Sequence, residues 1–436
     1  MTSVIGVDPD CPFTPAMLKK VSYAGAQSAS FVQATEDLKA LAEVQVSRER
    51  VQRWTKRIGN QRVSQIEEQA EAYQGLSLPD RGRSPVDQVP QVACVQMDGG
   101  RIQIRDRQED PDSRESKGYW RESLVGCCLS MTSEEQSADP CPTIPKTFVD
   151  PARISDLSRG IKGFPGDIEA AEDPPSNSPA DRIGRPDVLV KSVVATRAGI
   201  DVFGKRLIAA AHARGFNASK RKAFVADGLA TNWSVHRQHF SHYTPILDFT
   251  HAVCYVYAAA LAAQLLRTAW LKYCQWAQWL WEGAIDQLIA AVQARSEELG
   301  PPPDGDETSP AAVVARTLGY LRNQLARMKY DEYRKLGLPI TSSHIESTIK
   351  HINRRVKGTE KFWHQGAEPL LGLVADHLSE TSDLDRFWQS RRNRLQPMRL
   401  LPNHRRMKNT KCGLHPSELQ EFCQQPIGVD YLGVHG

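Results

Sequence analysis

The chain has 436 residues, enough at roughly 100–200 residues per domain for two to four domains with substantial cores. Apolar residues make up 40% of it and charged residues 24%, which excludes a fibrous or wholly disordered chain. Lys and Arg total 55 against 51 Asp and Glu, a net charge of +4. So even a balance does not indicate a polyanionic partner, and the distribution of charge has to decide. The nine cysteines are odd in number and include no Cys-x-x-Cys pair, which argues against a disulfide framework or a cysteine-rich zinc site and for a reducing compartment. The opening Met-Thr-Ser-Val lacks the charged and apolar regions of a signal peptide. The longest apolar run, 252–266, contains Gln264 and is shorter than the ~20 residues of a membrane span. A soluble, cytoplasmic protein is expected.

Residues 35–42 and 47–57 predict two short helices around Glu43-Val44-Gln45-Val46. Leu38, Leu41 and Ala42 form the apolar face of the first; Ser47 is a good N-cap, and Val51 and Trp54 mark the buried face of the second. Arg48, Arg50, Arg53 and Arg57 are then its exposed positions. A short, capped, basic helix after a tight turn suits a helix-turn-helix entering a major groove; it suits an ordinary helical hairpin with a charged face as well. Residues 92–97 predict a strand, Asp98-Gly99-Gly100 a turn, and the alternating 101–105 a second, half-buried strand. Further strands are expected at 123–131, 222–226 and 245–249. The acidic, Pro-, Ser- and Gly-rich stretch 132–187 reads as a solvated loop or partly disordered insertion. From His251 onward helical patterning dominates, broken at Gly300-Pro301-Pro302-Pro303-Asp304-Gly305. The stretch 388–412 is basic, without a single acid, and reads as a DNA-contacting or merely loose tail. The class is mixed α/β with a helix-rich second half.

Among so many acids, position has to select. Asp98 and Asp227 each follow a β-rich run and precede glycine. A rigid strand end holds such a carboxylate, and the glycine lets a phosphate backbone approach. With a third acid from a helix, two such groups can bind a pair of hard divalent cations, the arrangement that cleaves phosphodiesters. Each Asp-Gly alone reads as a turn. The third acid is offered by Gly337-Leu338-Pro339-Ile340-Thr341-Ser342-Ser343-His344-Ile345-Glu346, where Ser342 or Ser343 suits an N-cap and Glu346 falls in the first turn. Glu346 equally suits a capping-box partner. Arg354, Arg355, Lys357 and Lys361 follow and would line the neighbourhood for phosphates. Asp248 and His251, just past a strand, could orient a metal ligand, position water or cap a helix. Nucleophile elbow, Walker loop and dinucleotide fingerprint are absent. The cluster Trp270, Trp276, Trp279 and Trp281 with Tyr273 reads mainly as a packing stripe, with base stacking as the smaller alternative.

In order, Val95-Gln96-Met97-Asp98-Gly99, Trp120-Arg121-Glu122, Ala226-Asp227-Gly228 with Trp233, Asp248-Phe249-Thr250-His251, and the stretch from Gly337 to Lys350 followed by Asn353-Arg354-Arg355-Val356-Lys357-Gly358-Thr359-Glu360-Lys361-Phe362-Trp363 resemble bacterial insertion-sequence DDE transposases of the Mutator-like superfamily, including the Kra-type group. The resemblance spans most of 92–388 apart from the acidic stretch. It implies an RNase H-like core, a central mixed sheet flanked by helices, interrupted by an all-helical insertion at 262–336. Its further implications are an N-terminal helical DNA-binding region at 1–85, core segments at 86–261 and 337–388, and a basic tail at 389–436. The family's acids map to Asp98, Asp227 and Glu346, holding two Mg²⁺ or Mn²⁺ ions, and its Asp-x-x-His signature maps to Asp248 and His251. Ala226 departs from the glycine the family often has there. The implied activity is metal-dependent hydrolysis at transposon ends and strand transfer into target DNA. The implied partners are double-stranded DNA, as terminal inverted repeats and target, and further copies of the chain in a synaptic dimer or larger assembly at the bacterial nucleoid. A nuclease or resolvase without strand transfer, and a non-catalytic DNA-binding copy, are the alternatives.

Overall fold

In the computed structural model, residues 11–104, 120–163, 185–358, 361, 363 and 366–395 are described. Five strands, β1 (Val92–Gln103), β2 (Trp120–Thr132), β3 (Asp187–Thr196), β4 (Arg221–Ala226) and β5 (Thr244–Leu247), form one mixed sheet in the order β3-β2-β1-β4-β5. β1 pairs antiparallel with β2 and parallel with β4; β2–β3 is antiparallel and β4–β5 parallel. Val92 to Met97 are all buried, as a central strand covered on both faces requires.

The expected turn at Asp98-Gly99-Gly100 does not form. β1 runs straight through it because β2 pairs with it continuously, from Val92↔Met131 to Gln103↔Trp120. β4 pairs with β1 only as far as Gln96↔Val225, so Asp98 lies just past the end of the β1–β4 pairing, where β2 still joins β1 to β3. Sequence reading missed β3, whose Val188, Val190, Val193 and Val194 are β-branched but directly follow the acidic stretch.

Helices cover both faces. α6 (Ile200–Ala213) packs Phe203 and Leu207 where Gly126 of β2 leaves room, and α7 (Ala230–His239) sets Trp233 against Phe224 of β4. α13 (Ser343–Val356) lies on the opposite face, its Thr348 hydroxyl 3.4 Å from the Cys127 thiol. The segment after α8 (Phe249–Leu261) is helical: α9 (Leu266–Trp281), α10 (Ile285–Leu299), α11 (Pro310–Gln324) and α12 (Tyr330–Lys335). Trp276 and Trp281 are buried, and Trp270 and Trp279 pack half-buried against them and the core.

At the N-terminus, α1 (Pro15–Gln27), α2 (Phe31–Ala42) and α3 (Arg48–Gly75) bury Leu18, Val21, Ala34, Leu38, Val46, Val51, Trp54 and Ile58. Ser30 and Ser47 cap α2 and α3 through their side chains. α3 is not the short helix expected; it spans 28 residues. Its later turns bury Ala70 and Tyr73, with Val63 and Ile66 partly buried on the same face, and close approach and charge hold its middle. A Cβ on Gly59 would lie 2.4 Å from the Pro369 carbonyl of α14 (Ala367–Leu378). Arg62 reaches buried Asp376 on the same helix at 2.8 Å. A short α4 (Leu78–Gly82) leads on to the sheet, and α15 (Asp383–Leu395) follows α14.

Part of the acidic stretch is ordered, contrary to expectation. Residues 132–163 carry α5 (Pro151–Ser158) and bind the helical segment. The Trp281 indole donates to Cys141 O at 2.7 Å, Phe148 packs on Phe249 and Trp281, and buried Arg334 pairs with Asp139. Its apolar anchors are too sparse to register as a periodic pattern. Residues 164–184 and the stretch from 396 onward, most of the basic tail, lie outside the described residues. Among the described residues no helix is long and apolar enough to cross a membrane.

Candidate active site

Asp98 and Asp227 meet through strand register. Gln96 pairs with Val225; Asp98 lies two residues further along β1 and Asp227 two residues further along the chain, one past the end of β4. The Asp98 carboxylate accepts from the Gly99 amide at 2.6 Å. Asp227 Oδ1 accepts from Leu229 N at 3.1 Å and Asn232 Nδ2 at 2.7 Å. Gly228 follows at φ 100, a conformation glycine tolerates without strain. α11 braces this loop: the Tyr320 hydroxyl donates to Asp227 O at 2.9 Å, and the Gln324 amide to Gly228 O at 3.1 Å.

Asp248 ends β5 and caps α8, its side chain accepting from Thr250 N and His251 N. It is fully buried. Its Oδ1 also accepts from Ser342 N at 2.9 Å, and its Oδ2 lies 2.5 Å from His251 Nδ1. Asp248 therefore ties α8 to the start of α13, whose first turn carries Glu346. Glu346, Asp248 and His251 have donor atoms within 4.8 Å of one another.

The cluster is electrostatically crowded. Burial, then the neighbouring Asp227 charge, pushes Asp98 up to about 6, against the pull of the Gly99 amide and His251. Burial and Asp248 raise Glu346, opposed by His251, Lys350 and Arg153. Burial alone would lower His251, but its bond to Asp248 and the charges of Asp248, Asp227 and Glu346 raise it to about 9. His251 thus holds its proton tightly among four carboxylates, whose negative charge it offsets. Two ligand sets compete, Asp98–Asp227–Glu346 and Asp248–His251–Glu346. The second gathers its donor atoms within 4.8 Å, which the first does not; both oxygens of Asp248, however, already serve backbone amides and the imidazole, whereas both bonds to Asp227 fall on one oxygen. Three partly exposed carboxylates are also the hard oxygen donors that Mg²⁺ or Mn²⁺ prefers.

Arg48, Arg50, Arg53 and Arg57 are exposed on the first turns of α3. Arg48 pairs with Glu49 at 3.1 Å, and Arg57 lies over the Trp54 ring at 4.9 Å. Arg354 and Lys357 are exposed at the end of α13, Lys357 above Trp120 at 5.4 Å. Arg355 is not at the surface as expected. It is buried, donating twice to Gly25 O, at 3.2 and 2.9 Å, and lying over Phe31 and Trp363. Lys361 is half-buried and donates to Arg354 O and Arg355 O, closing the helix end instead of facing solvent.

Sequence reading passed over Tyr320 and Gln324, whose target is backbone, and Gln96, a lone amide in an apolar strand; only the last left a visible sign. No protein-family model and no curated protein matches the chain.

Proposed function

We propose that the chain is a DDE transposase with an RNase H-like core, cutting and joining double-stranded DNA with two Mg²⁺ or Mn²⁺ ions. One observation carries the reading: two aspartates, each two residues past a matched pair of adjacent parallel strands, share a charge cluster with a glutamate from a helix packed on the sheet. The strand order β3-β2-β1-β4-β5, with the acids on β1, after β4 and on α13, agrees with it. Asp98, Asp227 and Glu346 would hold the metals, which when bound activate water and stabilise the leaving oxygen. Asp248 orients His251, and His251 offsets the negative charge that the three acids accumulate. The capped, arginine-bearing start of α3, following α2 across the 43–47 turn, supports reading of terminal DNA by a helix-turn-helix, with Arg354 and Lys357 contacting phosphates.

The test is cleavage and joining of end-containing oligonucleotides with Mg²⁺. Asp98→Asn, Asp227→Asn and Glu346→Gln should each lower cleavage by roughly 10³-fold while changing DNA affinity little. A variant that still cuts at the wild-type rate removes that residue from the site, and intact wild-type cutting without joining reduces the enzyme to a nuclease.

A further inference from the structure

α13 begins without help from its own cap: Ser342 makes no side-chain bond to the first turn. Helix-start amides need partners when buried, and here two other elements supply them. Asp248 takes the Ser342 amide, as described. The second partner is Gln96, fully buried in β1. Its Oε1 accepts from Ile345 N at 3.1 Å, an amide it shares with Ser342 O at 3.0 Å, and its Nε2 donates to Thr341 O at 3.0 Å. One side-chain amide thus spans the peptide before the helix and the third residue within it, as a neighbouring strand would.

Burying an amide in a central strand is costly unless both its ends are satisfied, and both are. Gln96 also sits two residues before Asp98, on the same face of the same strand, while Ile345 immediately precedes Glu346. The amide is therefore the direct mechanical link between the strand bearing the first acid and the helix bearing the third.

We propose that Gln96 is a positioning residue that fixes the Glu346 helix on the Asp98 strand and so sets the divalent-cation affinity of the site; this rests on the metal-site reading above. Gln96→Met keeps the length and bulk of the side chain and removes both hydrogen bonds. In the full-length protein without DNA, Mn²⁺ binding followed by the free-ion paramagnetic resonance signal should weaken by about tenfold, the lower end of what outlying hydrogen bonds to metal ligands contribute. Hydrogen exchange of residues 339–349 should lose protection at Ile345 in the same variant. Cys127→Ala trims a contact to the middle of α13 and should leave both readouts near wild type. Equal weakening by Cys127→Ala, or wild-type Mn²⁺ binding by Gln96→Met, overturns the proposal. Should Gln96→Met fail to fold, Gln96→Leu takes its place in the exchange experiment, since it also removes both bonds; unchanged Ile345 protection there refutes the link. Asp98→Asn separates the two claims: undiminished Mn²⁺ binding in that variant sinks the metal site itself, whereas unchanged Ile345 protection in Gln96→Met sinks only the role of Gln96.

Discussion

Asp98 and His251 both hold a proton more tightly in the folded chain than out of it. Asp98 rises from 3.8 to about 6 and His251 from 6.5 to about 9. Folding therefore takes up protons across both windows, and the contribution of each group to stability falls as pH rises. For Asp98 the loss lies between about 4 and 6; the favourable contribution of His251 is complete below 6.5 and gone above about 9. Thermal melts in chelator should show this as differences from wild type. Asp98→Asn should gain stability relative to wild type as pH rises through about 6, by on the order of 1 kcal/mol. His251→Gln should be destabilising at pH 6 and progressively less so toward pH 9. A difference curve of either variant that is flat with pH contradicts the assignment. At this scale the sequence was most legible where a residue type is tied to a backbone context, as for Asp227, which directly follows β4; Asp98, expected at a strand end, lies inside β1. The sequence was least legible for Arg355, because a guanidinium spent on a backbone carbonyl and two aromatic rings has the same local sequence as one spent on solvent.

Elements were readable where apolar residues repeat and misread where something else holds them. β1, β2, β4 and β5 announced themselves by short apolar or β-rich runs, but the Gly99-Gly100 pair signalled a turn that the long pairing with β2 overrode. The second half of α3 has only a sparse apolar stripe, Val63, Ile66, Ala70 and Tyr73, and the Gly59 contact and the Arg62–Asp376 pair, which also fix the helix, have no period. Gly59 is the tightest point. Gly59→Ala would push its new methyl against the Pro369 carbonyl at 2.4 Å and should cost about 1–3 kcal/mol as α3 is levered from α14. Gly75→Ala, at the far end of the same helix with nothing within 4 Å, should change stability by under about 0.5 kcal/mol. Urea denaturation midpoints compare the two; equal effects would mean that the α3–α14 contact is loose.

Across the whole molecule, long-range joints were hidden from sequence. The 132–163 segment looked too polar to pack, yet Asp139, Cys141 and Phe148 fasten it to the helical segment. Asp248 and Gln96 join parts of the chain 94 and 249 residues away. What proximity in sequence could supply was a set of candidate acids, and what it could not was the scaffolding around them.

α3 has one more consequence. Its 28 residues make an unjointed rod about 42 Å long, with arginines at one end and its body clamped to α14 and α6. Under the proposed function it works as a caliper: the stretch of DNA gripped at its tip is held at a set offset and rotational phase from the scissile bond. Lengthening the DNA between the two by five base pairs turns the gripped face half-way round the duplex, and should depress cutting at the original bond at least about tenfold. Ten added base pairs restore the phase and should shift the cut by the inserted length. Gel mapping of cut positions on such spacer series reads the caliper directly, and cutting indifferent to spacing would show a hinge where the structure has none.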